Sequence, residues 1–196
     1  MSEEDSKWNL DALTRNIYIN EIIFIGLIVL CLIGDVIGAI SHRAVIFYWL
    51  LMVPIFFACS LISERVATQA HEEGTNSHFL KYEFIFWTSA FVSVLLVLIL
   101  WHSEALQAET TGLVIHIILA HTMFLTGTLL GARFYLIGLF LFLLAGLAIT
   151  MSGVVGATFI LAIPVVILGL YYEKYFLFPT IRKKHEEAYW GDKEEE

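Results

Sequence analysis

Three ionisable side chains lie inside long apolar stretches of the sequence and are the residues best placed to do chemistry. Asp35 sits in Gly34-Asp35-Val36-Ile37-Gly38, and His116 and His121 occur five residues apart in a second apolar stretch. A carboxylate or imidazole surrounded by hydrocarbon is costly unless it is paired, hydrated or neutral, so such residues mark functional sites. We therefore predict a ligand, ion or polar site at Asp35, His116 and His121, with a hydrogen bond between Asp35 and His116.

Each of these residues also has a purely structural interpretation. Asp35 is near enough to the end of its apolar stretch to be hydrated, and a histidine in such a helix is more often an interhelical hydrogen-bonding residue than a ligand. At 100° per residue, the five-residue spacing places the two imidazoles about 140° apart around a helix. The pairs Gly34 with Gly38 and Gly127 with Gly131 predict helix contacts that small residues bring close.

A second group of charged residues lies at the opposite ends of the apolar stretches. Glu21 and Glu83 fall in the first turns of two predicted helices, where an acidic side chain complements the helix dipole. An alternative interpretation pairs one of them with Arg133 or Arg65 across helices. Glu21, Glu83 and Arg133 are therefore the candidates for an ion pair at this end.

Histidines also raise the question of a metal or haem. His42, His102 and His116 are predicted near one end of the helices, and imidazole is a ligand for zinc, copper and haem iron. Their positions in three separate segments make them weak candidates, and the cofactor stays unknown. The sequence contains no nucleotide-binding loop, nucleophile elbow or C-x-x-C motif, which leaves enzymatic activity uncertain and disfavoured.

The elements that must position these residues are apolar helices. Apolar residues make up 59% of the chain and charged residues 15%, with a mean hydropathy of +0.79. Residues 134–172 contain no Asp, Glu, Lys or Arg, and about 20 apolar residues already span the ~30 Å hydrocarbon core of a bilayer. Since a backbone in lipid must satisfy its own hydrogen bonds, these stretches are predicted to be helical.

The sequence thus predicts an all-α, polytopic integral membrane protein with six transmembrane helices. The predicted crossings are approximately 17–40, 44–62, 82–101, 112–132, 134–150 and 154–172. They are preceded by a polar segment, 1–16, and followed by a charged tail, 173–196.

Lysine and arginine placement predicts the orientation. With the N-terminus inside, ten of the eleven basic residues fall in inner segments and only Arg43 falls outside, which the positive-inside rule favours. Both termini are then cytoplasmic (N-in/C-in), and the membrane is a cell inner or plasma membrane. Aromatic residues near the predicted span edges, Trp49 and Trp101 among them, fit an interfacial belt.

Three functions of different kinds follow from these features. The first is a transport or channel protein, or a membrane subunit, with a polar site in the outer half of the bundle. The second is a non-catalytic partner or assembly subunit of a larger membrane complex. The third is a histidine-ligated haem or metal redox protein. The expected partners are the lipid bilayer and other membrane subunits or a second copy, and the lack of a basic stripe disfavours nucleic acid.

Overall fold

In a computed structural model, the described residues of the protein form a bundle of six consecutive α-helices. The structure describes the backbone of residues 3–69, 77–150 and 155–172, and the side chains of residues 18–63, 81–150 and 156–171. The helices are α1 (Glu3–Ile40), α2 (His42–Gln69), α3 (Ser77–His102), α4 (Ala108–Leu130), α5 (Ala132–Thr150) and α6 (Val155–Tyr172).

Within the described part of the chain, five helices are long and apolar enough to cross a membrane, and α6 contributes a shorter apolar segment. Five such helices indicate an integral membrane protein. The all-helical prediction is confirmed. The tail predicted at 173–196 lies outside the described residues.

The first three helices extend beyond the apolar spans. α1 begins at Glu3, α2 continues to Gln69 and α3 begins at Ser77. Residues 3–16 and 63–69 contain no glycine or proline. Because nothing in these segments interrupts the ladder of backbone hydrogen bonds, the helix continues from the apolar part of each chain segment into the polar part.

Contacts between helices give their relative directions. Phe24 of α1 approaches Gly169 of α6, and Asp35 of α1 approaches Thr158 of α6. The two helices therefore run antiparallel. Helices that follow each other in the chain are likewise antiparallel. We call the end at which α1 passes into α2 the α1–α2 end, and the opposite end the α4–α5 end.

The apolar core lies between α1, α2, α4 and α5. α4 packs against α2, α3 and α5, whereas α1 packs against α2, α5 and α6, so α3 and α6 lie at the periphery. Large side chains fill the centre with almost no exposure, among them Phe24, Trp49, Met52, Phe56, Met123 and Phe140.

Glycines set the closest helix contacts. A Cβ placed on Gly138 of α5 would lie 2.5 Å from the backbone nitrogen of Phe124 and 2.7 Å from its Cα. One placed on Gly127 of α4 would lie 2.7 Å from the backbone nitrogen of Tyr135. α4 and α5 therefore approach each other at a separation that side chains at these positions would prevent.

Candidate functional site

The most deeply buried ionisable residue of the predicted site is His116 on α4. Its imidazole is 5% exposed and stacks on the indole of Trp49, with ring centroids 4.3 Å apart and 25° between the planes. The ring also interacts with the backbone carbonyl of Leu141 on α5. His116 Nε2 is buried and has no hydrogen-bond partner among the described residues. The imidazole therefore joins α2, α4 and α5 inside an apolar core.

The other side of Trp49 meets α1. A Cβ on Gly34 would lie 2.8 Å from Trp49 Cζ2 and 2.7 Å from Tyr48 Cε1. The hydroxyl of Tyr48 donates a hydrogen bond to the carbonyl of Leu30, at 2.5 Å. Trp49 thus fills the space between α1 and α4, which accounts for its 2% exposure. The ring of Trp49 thus faces the core, because the absence of a side chain at Gly34 opens a position for the indole.

Asp35 faces a different neighbour. Its carboxylate is half-buried and accepts a hydrogen bond from the side chain of Thr158 on α6, and Thr158 is 3% exposed. The predicted hydrogen bond between Asp35 and His116 is therefore wrong. Gly34 points at α2, and each further residue turns the helix by 100°, so Asp35 is directed away from α2 and α4. The sequence positions of Asp35 and His116 indicate similar depths. They do not indicate the direction of each side chain around its helix axis.

His121 lies on the outside of the bundle. It is exposed, whereas His116 on the same helix is buried, which agrees with the roughly 140° between positions five residues apart. The three residues of the predicted polar site consequently occupy three environments: an aromatic core contact, an α1–α6 hydrogen bond and the exposed surface of α4.

The buried threonines of α4 are satisfied within their own helix. The hydroxyl of Thr111 donates to the carbonyl of Gln107 at 2.8 Å, and that of Thr122 donates to Ile118 at 2.8 Å. Thr126 donates to the carbonyl of Thr122 at 2.9 Å. Such bonds to the preceding turn occupy the hydroxyl hydrogen. These side chains therefore line α4 without offering a free donor to a ligand.

The charged residues predicted at the α4–α5 end occupy two places. Arg133, at the start of α5, is attracted electrostatically by Glu21 of α1. Glu83 of α3 is 1% exposed, and α3 lies at the periphery of the bundle, apart from α1 and α5. The side chain of Arg65 lies outside the described residues. Glu21 and Arg133 thus attract each other, and Glu83 is buried on α3.

The histidines considered as metal ligands are dispersed. His42 and His102 are exposed, and His116 is buried against Trp49. In the part of the chain with described side chains, no group of three His, Cys, Asp or Glu residues lies close enough to hold a metal ion. Both cysteines, Cys31 and Cys59, are free thiols.

No protein-family model, curated protein or solved structure matches this chain. Its class therefore follows from its own helices and contacts: a multi-pass helical-bundle membrane protein. Two residues of the site, Trp49 and Thr158, were not assigned to it from the sequence. A threonine in an apolar helix was the one available indication for Thr158, and it is a weak one because such residues are common in membrane helices.

Proposed function

We propose that this protein is a non-catalytic partner or assembly subunit of a larger membrane complex. The observation that carries the proposal is the closed, apolar interior of the bundle. Of the predicted polar-site residues, Asp35 is hydrogen-bonded to Thr158, His116 is stacked in the core and His121 is exposed on the outside. The lateral, lipid-facing surface is then the part of the molecule left for recognition.

The face of α1 that is buried in the bundle is an example of this apolar interior. Glu21 and Asp35 are separated by about 21 Å along the helix, at 1.5 Å per residue. The side chains that α1 buries between them are apolar, namely Phe24, Leu27, Ile28 and Cys31. Between the two carboxylates, the buried face of α1 therefore offers an ion no polar side chain to replace its hydration, which is costly in a low-dielectric medium.

We infer that all six helices cross the membrane and that both termini are cytoplasmic. The alternating directions of consecutive helices support an even number of crossings. The distribution of basic residues supports the orientation, since it places ten of eleven in inner segments. Cysteine-accessibility mapping tests this inference: a thiol introduced at Ser103 should react from outside intact cells, and one introduced at Gly131 should react only after permeabilisation. The opposite labelling would refute the orientation.

The subunit proposal is tested by purifying the full chain from its native membranes in a mild detergent. Native mass spectrometry should find it in a constant molar ratio with at least one other membrane protein, identified by mass. The ratio should persist at high salt, because contacts between apolar helices are not screened. A chain that emerges alone, or only with copies of itself, would contradict the proposal.

Transport is the second candidate, and the position of Asp35 within an apolar helix favours it. A half-buried carboxylate in an apolar helix is a functional residue by default. In liposomes, Asp35→Asn should then abolish proton or ion flux, whereas Thr158→Val should only reduce it, since it keeps the carboxylate. Flux that is equal in Asp35→Asn and the wild type would remove this candidate.

A further inference from the structure

A lipid-facing groove separates α2 from α3. The two helices touch near the α1–α2 end, where Phe47 meets Trp101 at a ring-centroid distance of 6.2 Å. They touch again near the α4–α5 end, where Phe57 meets Phe84 at 6.4 Å and Trp87 at 5.8 Å. Between these contacts lies a groove of about 680 Å³, a volume within the roughly 300–1,000 Å³ typical of ligand sites.

The groove is long and apolar. On α3 its wall runs from Phe84 to Leu98, a distance of about 21 Å at 1.5 Å per residue. One leaflet of a bilayer has a hydrocarbon depth of about 15 Å, half of the ~30 Å core. Thr88 carries the only hydroxyl among the lining side chains, and Pro54 and Phe91 are typical of the rest. The groove is therefore apolar and long enough to hold a single acyl chain.

One end of the groove also carries a positive charge. Lys81 is exposed and precedes Phe84 by three residues on α3, which is about 4.5 Å along the helix axis. The neighbouring acid, Glu83, is buried rather than exposed at this mouth. A lysine at this position extends toward the headgroup layer, where it complements a phosphate.

We propose that the groove between α2 and α3 binds an anionic phospholipid, with one acyl chain along Phe91 and Leu95 and the phosphate at Lys81. An amphiphile with a long apolar body and an anionic head would fill the apolar groove and place its negative charge beside Lys81. A helix of a protein partner would fill the groove without using Lys81. The site lies on the lateral surface and does not depend on the proposed complex.

The test uses the full-length chain, delipidated in detergent and titrated with phosphatidylglycerol or phosphatidylcholine carrying identical palmitoyl and oleoyl chains. Native mass spectrometry should detect one phosphatidylglycerol per chain, preferred over phosphatidylcholine by roughly fivefold, as expected for one lysine near an anionic headgroup. Leu95→Trp, which fills the groove, should abolish binding. Lys81→Gln should retain binding but lose the preference for phosphatidylglycerol.

Leu96→Trp is the matched control, because Leu96 is exposed on the same helix and does not line the groove. It should bind phosphatidylglycerol as the wild type does. If Leu95→Trp does not fold, Leu51→Trp tests the α2 wall instead. Three results would overturn the proposal: equal binding of the two lipids by the wild type, equal losses in the Leu95 and Leu96 variants, or a dimer that Leu95→Trp dissociates without any bound lipid.

Discussion

The indole of Trp49 lies flat against the imidazole of His116, with 4.3 Å between ring centroids, and both rings are almost fully buried. This pair links α2 to α4 at the point where Gly34 brings α1 into contact with the same indole. A histidine in an apolar helix invites a functional interpretation, yet here its ring is a packing element. Its consequences for stability differ from those of a ligand and are measurable.

Replacing His116 by phenylalanine should leave the protein within about 1 kcal/mol of wild-type stability, because the ring stack survives and the removal of a buried nitrogen without a partner offsets the lost bond to the Leu141 carbonyl. Trp49→Ala, in contrast, should cost about 3–5 kcal/mol through the cavity it creates. Reversible unfolding in mixed micelles, followed by circular dichroism, measures both. A large loss in His116→Phe would show that the bond to the Leu141 carbonyl contributes more to stability than the ring stack.

The contact between α4 and α5 predicts a difference between two glycines of one helix. Gly138→Ala should destabilise the bundle by about 1–3 kcal/mol, because the added methyl group meets the backbone of Phe124 and forces the helices apart. Gly146→Ala on the same helix has open space around the new Cβ. It should be neutral or stabilising by up to about 1 kcal/mol. Equal effects of the two substitutions on thermal stability would contradict the close contact.

Glu21 and Arg133 should be energetically coupled, since the arginine at the start of α5 is attracted by the glutamate of α1. In a double-mutant cycle with Glu21→Gln and Arg133→Gln, we expect a coupling free energy of about 1 kcal/mol. The control is the same cycle with Lys81→Gln in place of Arg133→Gln, because Lys81 is exposed. Additivity of Glu21→Gln and Arg133→Gln within ~0.3 kcal/mol would show that the charges do not interact in solution.

The turn after α3 contains a strained residue. Glu104 has a φ of 61°, in the left-handed region that favours glycine, and Ala105 donates a backbone hydrogen bond to the carbonyl of Leu100 at 3.0 Å. Glu104→Gly should therefore raise the free energy of unfolding by roughly 1 kcal/mol. Glu109→Gly, in the first turn of α4, should lower it by a similar amount. Destabilisation in both variants would argue against the left-handed conformation.

The fold was largely predictable because hydrophobic length is a strong indicator of membrane helices. Uninterrupted apolar sequence identified the helical segments, and the small residues at 34 and 38 correctly indicated a close helix contact, since both lie against side chains of α2. The helix ends were less predictable. A helix that leaves the apolar region continues as long as its residues favour it, and hydropathy does not report that preference.

The site was less predictable than the fold, because depth and rotation are separate quantities. Asp35 and His116 were assigned similar depths, but the direction of each side chain depends on which neighbouring helix packs against it. Thr158 has no charge and was therefore missed as the partner of Asp35. An aromatic residue near a span edge indicates an interfacial depth, but it does not indicate whether the ring faces lipid or, as for Trp49, the core. Its core position depends on Gly34, which lies on another helix.

The molar composition of the protein as isolated gently from its own membrane tests the subunit proposal most directly. Native mass spectrometry of that preparation should give one principal species in which this chain and a different membrane protein occur in fixed proportion. A preparation in which the chain is monomeric or bound only to itself, and which conducts ions in liposomes in an Asp35-dependent manner, would contradict the subunit proposal and favour transport.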